Sequence, residues 1–369
     1  MQGSRPLRVT LVSTAATGVP GSMRAYADVL LDALSSHAPD IDVRIVELDP
    51  VPVRSGLGNK FATLALPWRA RRQRSLEPDV WHVLDGSRAY VAAGLCNAPV
   101  VITAHDIIPH LQQQGRFADA PAQGFAARWL WRRNLAALRA SRGVVCVSES
   151  TRRDLHAEGV QPGCTSVVPL PVRPALLALD GDAARPVREA GTVLHVGNNA
   201  FYKARDQVLR IFARADRTVA RRLVMIGPEP AAGMRALAVE LGLANAVEWV
   251  ENADDAILAE HYRRAAVMVF PSQYEGFGWP VLEAMALGLP VVASNAGSLP
   301  EVIGGVAPCV APDDIEGFVR EIEAILLDPA LAARRAAAGR VRAQDFSMQT
   351  LASGTAAAYA AAGGTLVPS

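Results

Sequence analysis

The chain has 369 residues, 50% of them hydrophobic and 6% aromatic, with 37 basic against 36 acidic side chains. That length predicts two domains of ordinary size, and so large an apolar share at near-zero net charge excludes a disordered chain. A formal charge of +1 also argues against a protein that coats nucleic acid, so no nucleic-acid partner is expected.

The near-neutrality hides a split. Residues 1–175 carry 20 basic and 14 acidic side chains, a net +6, whereas the remainder carries 17 and 22, a net −5. The four cysteines, Cys96, Cys146, Cys164 and Cys309, form no C-x-x-C pair, so no metal site is expected. A strand begins at Leu7 with no long apolar run before it, and no apolar stretch approaches the ~18–20 residues of a membrane span. A cytoplasmic protein is the expectation.

In chain order, Leu7–Ser13, Val43–Leu48, Asp79–Leu84, Val100–Ala104 and Gly143–Ser148 read as strands, with amphipathic segments at Met23–Leu34 and Phe125–Arg142 between them. Continuous apolar strands separated by helices predict a parallel sheet covered on both faces. A second set then begins: Thr192–Val196, Leu223–Ile226, Val247–Val250, Val267–Phe270, Pro290–Ala293 and Val306–Val310. The fold class is α/β, two Rossmann-like doubly wound parallel sheets in tandem, divided as 1–175 and 176–348. The break is the Pro- and Gly-rich stretch Pro169–Gly191, read as a linker. The closing segment Gln349–Ala362 is uncharged and Ala-rich, which predicts a packed helix.

Open α/β sheets bind ligands beyond the carboxyl ends of their strands, so the loops there matter most. The first, with Gly18, Gly21 and Ser22, leads into a helix; it is either an anion-binding turn or a plain turn with Ser22 as N-cap. The second is His105-Asp106 after Val100–Ala104, where His105 can donate to a sugar hydroxyl or phosphate and Asp106 can cap the next segment. The third runs from Gly197 and Asn198 to Lys203 and Arg205. Lys60 and Lys203 are the two lysines of a chain with 35 arginines, so a lysine just past a glycine turn points to a compact charge suited to a diphosphate.

The fourth loop carries the most chemistry. After Phe270 come Glu275, Gly276, Phe277 and Gly278, then a helix start at Trp279-Pro280 containing Glu283. Backbone N–H groups at the helix start can meet an anion, and the two carboxylates can accept from hydroxyls of a sugar and a ribose. Phe277 and Trp279 are expected to be exposed.

Glu275, seven residues and Glu283, then Ala-Met-Ala-Leu-Gly-Leu-Pro-Val-Val-Ala-Ser and Gly297-Ser-Leu-Pro-Glu301, resemble the family-4 retaining glycosyltransferases of the GT-B fold (group 1). The resemblance extends through the Gly197–Lys203 turn, His105-Asp106 and the tandem architecture. It implies a nucleotide diphosphate sugar as donor substrate, held mainly by the second domain, an acceptor held mainly by the first, and a cleft closing between them. It assigns Lys203 to the donor diphosphate, Glu283 to the ribose hydroxyls, Glu275 with Gly276–Gly278 to the transferred sugar, and His105 to the sugar from the opposite wall. It also implies a final helix returning to the first domain, retention at the anomeric carbon, and neither cofactor nor catalytic metal. Two positions depart from the pattern. The family's arginine five residues before the lysine is Asn198 here, with Arg205 as the candidate replacement. The arginine near the first loop falls on Ala25.

A nucleotide-sugar epimerase on the same architecture and a non-catalytic nucleotide-sugar-binding scaffold are the alternatives. The absence of G-x-G-x-x-G and G-x-S-x-G disfavours a dinucleotide oxidoreductase and a serine hydrolase. The acceptor side is open. Phe125–Arg133 and Trp68–Arg74 mix aromatics with cations, either as solvated helix faces with buried tryptophans or as a surface for an anionic membrane and a lipid-linked acceptor. Asp180-Gly-Asp182 is read as a solvated linker turn.

Overall fold

The computed structural model describes residues 5–15, 21–48, 57–95, 97–118, 120–179 and 188–363; Gly18, Cys96 and Asp180-Gly-Asp182 lie outside them. The chain divides into two compact units, Met1–Pro171 with Ser347–Ser369, and Val172–Phe346.

The first unit holds a parallel sheet of β1 (Leu7–Ser13), β2 (Ile41–Glu47), β3 (Val80–Val83), β4 (Val100–Ala104), β5 (Gly143–Cys146) and β6 (Thr165–Val167), in the order β2-β1-β3-β4-β5-β6. Helices cover both faces, which is why β1, β3, β4 and β5 are almost wholly buried and read as apolar runs instead of alternating ones. The last helix, Met348–Ala361, packs on the helix Ser22–His37 and on β5 and β6, burying Leu351, Ala352, Thr355, Ala358 and Tyr359. A buried polar chain fixes it there. The Tyr359 hydroxyl meets His82 Nδ1 at 2.7 Å, His82 Nε2 meets Thr103 Oγ1 at 2.7 Å, and Thr103 Oγ1 meets the Tyr26 hydroxyl at 2.8 Å. Burial pushes the His82 ring down to about 3, so it sits neutral in this chain.

The second unit repeats the plan with β7 (Thr192–Val196), β8 (Arg222–Gly227), β9 (Val247–Glu251), β10 (Val267–Phe270), β11 (Val291–Ser294) and β12 (Cys309–Val310), all parallel, in the order β12-β11-β10-β7-β8-β9. Its core includes Phe212, Val269 and Phe318. The strand order reverses between β7 and β10, so the loops after those two strands flank the topological switch point, where open sheets of this kind hold ligands. The Lys203 loop follows β7 and the Glu275 loop follows β10.

Two expectations need revision here. β6 is an additional strand, and the stretch read as a linker holds a short helix, Pro174–Ala178. Ser22 is the first residue of its helix and makes no capping bond; Gly21 is the N-cap.

Candidate functional site

In the second unit, Lys203 closes a short 3-10 turn, Phe201–Lys203, and the Gln273 N–H donates to the Tyr202 carbonyl at 2.7 Å, tying this turn to the loop after β10. That tie brings the two candidate residues together. Lys203 Nζ donates to both oxygens of Glu275, at 2.7 and 2.8 Å, with side chains only 12% and 6% exposed. The Lys203 ammonium also lies 5.3 Å from the Phe270 ring centroid.

The backbone of Glu275 is fixed from behind. Ser298 donates to the Glu275 carbonyl through both its N–H and its Oγ, each at 3.1 Å. Gly297, at φ +60°, lies so close that a Cβ there would stand 2.4 Å from the Glu275 carbonyl oxygen. Gly278, at φ +97°, caps the helix Trp279–Ala286 in a conformation that L residues rarely adopt, and so turns the loop into the helix that carries Glu283.

Glu283 is buried, and each of its oxygens accepts one hydrogen bond. Its Oε1 accepts from Arg173 Nε at 2.5 Å and its Oε2 from the Tyr262 hydroxyl at 3.0 Å, while Arg173 Nη1 donates to Asp255 at 2.6 Å. The Glu283 carboxyl stands above the ordinary carboxylate range: burial pushes it up, and the Arg173 charge with the hydrogen bonds from Arg173 and Tyr262 offsets only part of that push. Arg173, Tyr262 and Asp255 are not legible in the sequence as site residues, because Arg173 stands 110 positions from Glu283 within a Pro-rich segment. The one local signal is Pro174, which holds Arg173 in extended backbone and fixes the origin of its side chain.

Other expectations fare differently. Phe277 and Trp279 are buried: Phe277 packs edge-on against Phe346, with ring centroids 5.9 Å apart, and Trp279 lies near the Arg173 guanidinium. Asn198 is exposed and its Oδ1 accepts from the Ala200 N–H. The Arg205 guanidinium does not stand beside it; it is buried against Asn199 Oδ1 and the Pro228 carbonyl, so the charge missing at Asn198 is not restored on the surface of this loop. Gly197 passes directly over His195, whose buried ring is pushed down to about 3, chiefly by desolvation.

In the first unit, Asp106 accepts from the Ile108 N–H at 2.9 Å and so caps the next helix. His105 Nε2 is 3.0 Å from the Leu84 carbonyl, an acceptor, so Nε2 carries the proton. Burial lowers the pKa of this ring, and the neutral form then leaves Nδ1 as a hydrogen-bond acceptor. Beside the first loop, Arg24 pairs with Asp28 and Glu47. Among the described residues, no helix is long and apolar enough to cross a membrane.

Two tandem doubly wound sheets, with Lys203 and Glu275 meeting at the switch point of the second, define an α/β protein with a candidate ligand site. The comparisons narrow this to a family. Residues 5–176 match the Glycosyltransferase Family 4 profile and residues 184–342 the profile of Glycosyl transferases group 1. The chain is 30% identical over 374 residues to a D-inositol 3-phosphate glycosyltransferase of Geodermatophilus obscurus, covering 91% of this chain and 80% of that one. It is 32% identical over 281 residues to an MMP alpha-(1->4)-mannosyltransferase of Mycolicibacterium hassiacum, covering 71% of this chain and 65%, just under two thirds, of that one. Its fold superposes with a TM-score of 0.72 on a sucrose-phosphate synthase from Thermosynechococcus elongatus, at 22% identity over 96% of this chain and 98% of that one. The chain belongs to the group 1 glycosyltransferases, and its fold class is GT-B.

Proposed function

We propose that this protein moves a hexosyl group, with mannose preferred, from a nucleoside diphosphate sugar to a saccharide or lipid-linked acceptor in surface polysaccharide or lipopolysaccharide synthesis. The observation that carries this reading is the meeting of Lys203 and Glu275 in the loops after β7 and β10, just ahead of the helix that carries the buried Glu283. Lys203 supplies a compact charge to the diphosphate, Glu275 accepts from hydroxyls of the sugar, and Glu283 accepts from the ribose. His105 Nδ1, an acceptor in the neutral ring, is the first unit's candidate for a sugar hydroxyl.

The step is a front-face displacement with retention. The bond from the anomeric carbon to the departing phosphate oxygen breaks, a bond to the acceptor oxygen forms on the same face, and the acceptor's proton passes to that phosphate oxygen. No cofactor or metal takes part. Catalysis then consists of positioning and of stabilising the leaving diphosphate. The mannosyl preference is supported by the His105–Pro109 segment and by the mannosyltransferase relative.

On the acceptor side, Leu57–Leu76 and Ala120–Ser148 contain ten cations and no acidic residue. Phe125 is 76% and Trp68 56% exposed, with Arg72 stacked 3.5 Å over the Trp68 ring. Exposed aromatics among cations suit an anionic membrane surface, which supports a peripheral position on the inner face of the membrane. Incubation with a panel of GDP- and UDP-sugars, with EDTA and with saccharide or lipid-linked acceptors, tests the reading. A glycosylated product of retained anomeric configuration is expected. An inverted product, a need for added metal, or a new sugar isomer formed without acceptor would each overturn it.

A further inference from the structure

We propose that Arg173 is a positioning residue that holds Glu283 as a fixed, ionised acceptor for the neighbouring hydroxyls of the donor's ribose. The proposal rests on the reading that Glu283 meets the ribose. Among the described residues, the titratable groups bonded at the Glu283 carboxylate are Arg173 on Oε1 and the Tyr262 hydroxyl on Oε2, with Asp255 behind Arg173. Tyr262 and Asp255 stand on one helix, Asp255–Arg264, against which the short helix Pro174–Ala178 packs. The guanidinium is thus clamped between two carboxylates, with Trp279 6.0 Å away.

A pair of ribose hydroxyls brings two protons and requires acceptors. Each Glu283 oxygen keeps a second lone pair free beyond the bond it already accepts. Deep burial without a cation, however, drives a carboxylate to take up a proton, which turns one of its oxygens from acceptor into donor. The Tyr262 hydrogen bond favours the ionised form but brings no charge to it. Arg173 is the group that does, and the Nε contact also sets the rotamer in which the carboxylate is presented.

The test uses UDP, GDP and their 2′-deoxy forms as probes, titrated by calorimetry from pH 6 to 9 against the wild type, Arg173→Met, Arg173→Lys and Arg173→Met/Glu283→Gln. The wild type is expected to prefer one ribonucleotide over its 2′-deoxy form by roughly tenfold or more, as for a hydrogen bond to a charged group, at every pH. Arg173→Met is expected to lose that preference at pH 6 and regain it as the pH rises, whereas Arg173→Lys keeps most of it. A second readout needs no nucleotide. A buried carboxylate whose folded pKa is raised binds more protons folded than unfolded, so stability falls as pH rises above its unfolded value. The Tm gap between wild type and Arg173→Met therefore widens from pH 5.5 to 8, and the gap for the double variant stays flat. Should Arg173→Met not fold, the double variant must, since it removes the buried charge. No ribose preference in the wild type would remove the ribose reading and leave the ionisation role to the Tm series. A pH-independent Tm gap together with pH-independent ribose preference in Arg173→Met, or a double variant that does not fold, would overturn the role of Arg173.

Discussion

Replacing Lys203 by Met removes one half of a nearly dry ion pair. The Glu275 carboxylate, 6% exposed, loses donors at 2.7 and 2.8 Å, and Ser298 holds its backbone so that it cannot swing to solvent. Removing one partner of a buried pair costs about 3–5 kcal/mol, most of it the penalty on the charge left behind. For a unit of this size, that corresponds to a fall of roughly 6–20 °C in Tm. Lys203→Met/Glu275→Gln leaves no buried charge and is expected to recover most of the loss, with Glu275→Gln alone in between. Thermal unfolding of the four proteins at fixed pH measures the cycle. Lys203→Ala is expected to destabilise the fold for the same reason, in addition to silencing the enzyme. A Lys203→Met variant as stable as the wild type, or a double variant no better than the worse single one, would refute the pairing.

Acid should weaken the first unit through His82: its folded pKa of about 3 lies below the ordinary value of 6.5, so the unfolded chain binds the extra proton and stability is lost as pH falls through that window. By pH 5 the loss is about 2 kcal/mol, and His82→Gln should flatten the slope in a pH series of denaturant unfolding. Gly297→Ala places a methyl 2.4 Å from the Glu275 carbonyl at positive φ, so we expect at least about 1–2 kcal/mol of destabilisation together with loss of turnover; normal kinetics would mean that Glu275 is not the critical group. Trp68→Ser and Trp129→Ser should each reduce flotation with anionic liposomes, and high salt should abolish it; flotation equal on neutral lipid would remove the electrostatic component. Glu275→Gln should bind GDP or UDP roughly tenfold more tightly than the wild type while losing transfer, a shift of about 1.4 kcal/mol; unchanged affinity would show that Lys203 does not serve the diphosphate.

The strands that line the switch point were legible because they are continuous apolar runs, and the loops after them because turn glycines and carboxylates fall at fixed spacing. β6, three half-buried residues Thr-Ser-Val, carries no apolar run and left no such trace. The aromatics of the Glu275 loop were misjudged because a loop position next to glycines resembles an exposed one, whereas Phe277 finds its cover in Phe346, far along the chain. Arg173 was hidden for a related reason: the chain first brings it to Glu283 through the packing of Pro174–Ala178 on the helix that bears Tyr262 and Asp255. Local pattern reveals which loops carry chemistry, and tertiary packing decides the charge state in which that chemistry is held.

That charge state bears on the opposite signs of the two halves. The second half is net acidic, yet its proposed ligand is an anion. The cations nearest the switch point are also already engaged: Lys203 by Glu275, Arg173 by Glu283 and Asp255, and Arg205 by a side-chain amide and a backbone carbonyl. Under the proposed function, a diphosphate meets no long-range basic field there and gains affinity through an exchange of partners. On that reading, sugar hydroxyls donating to Glu275 would release part of the Lys203 ammonium to the phosphate, so the sugar and diphosphate ends of one donor would assist each other through a single ion pair. The same pair explains why neutralising Glu275 should tighten binding of the bare nucleotide and still abolish transfer: the competitor for Lys203 is gone, and so is the group that positions the sugar.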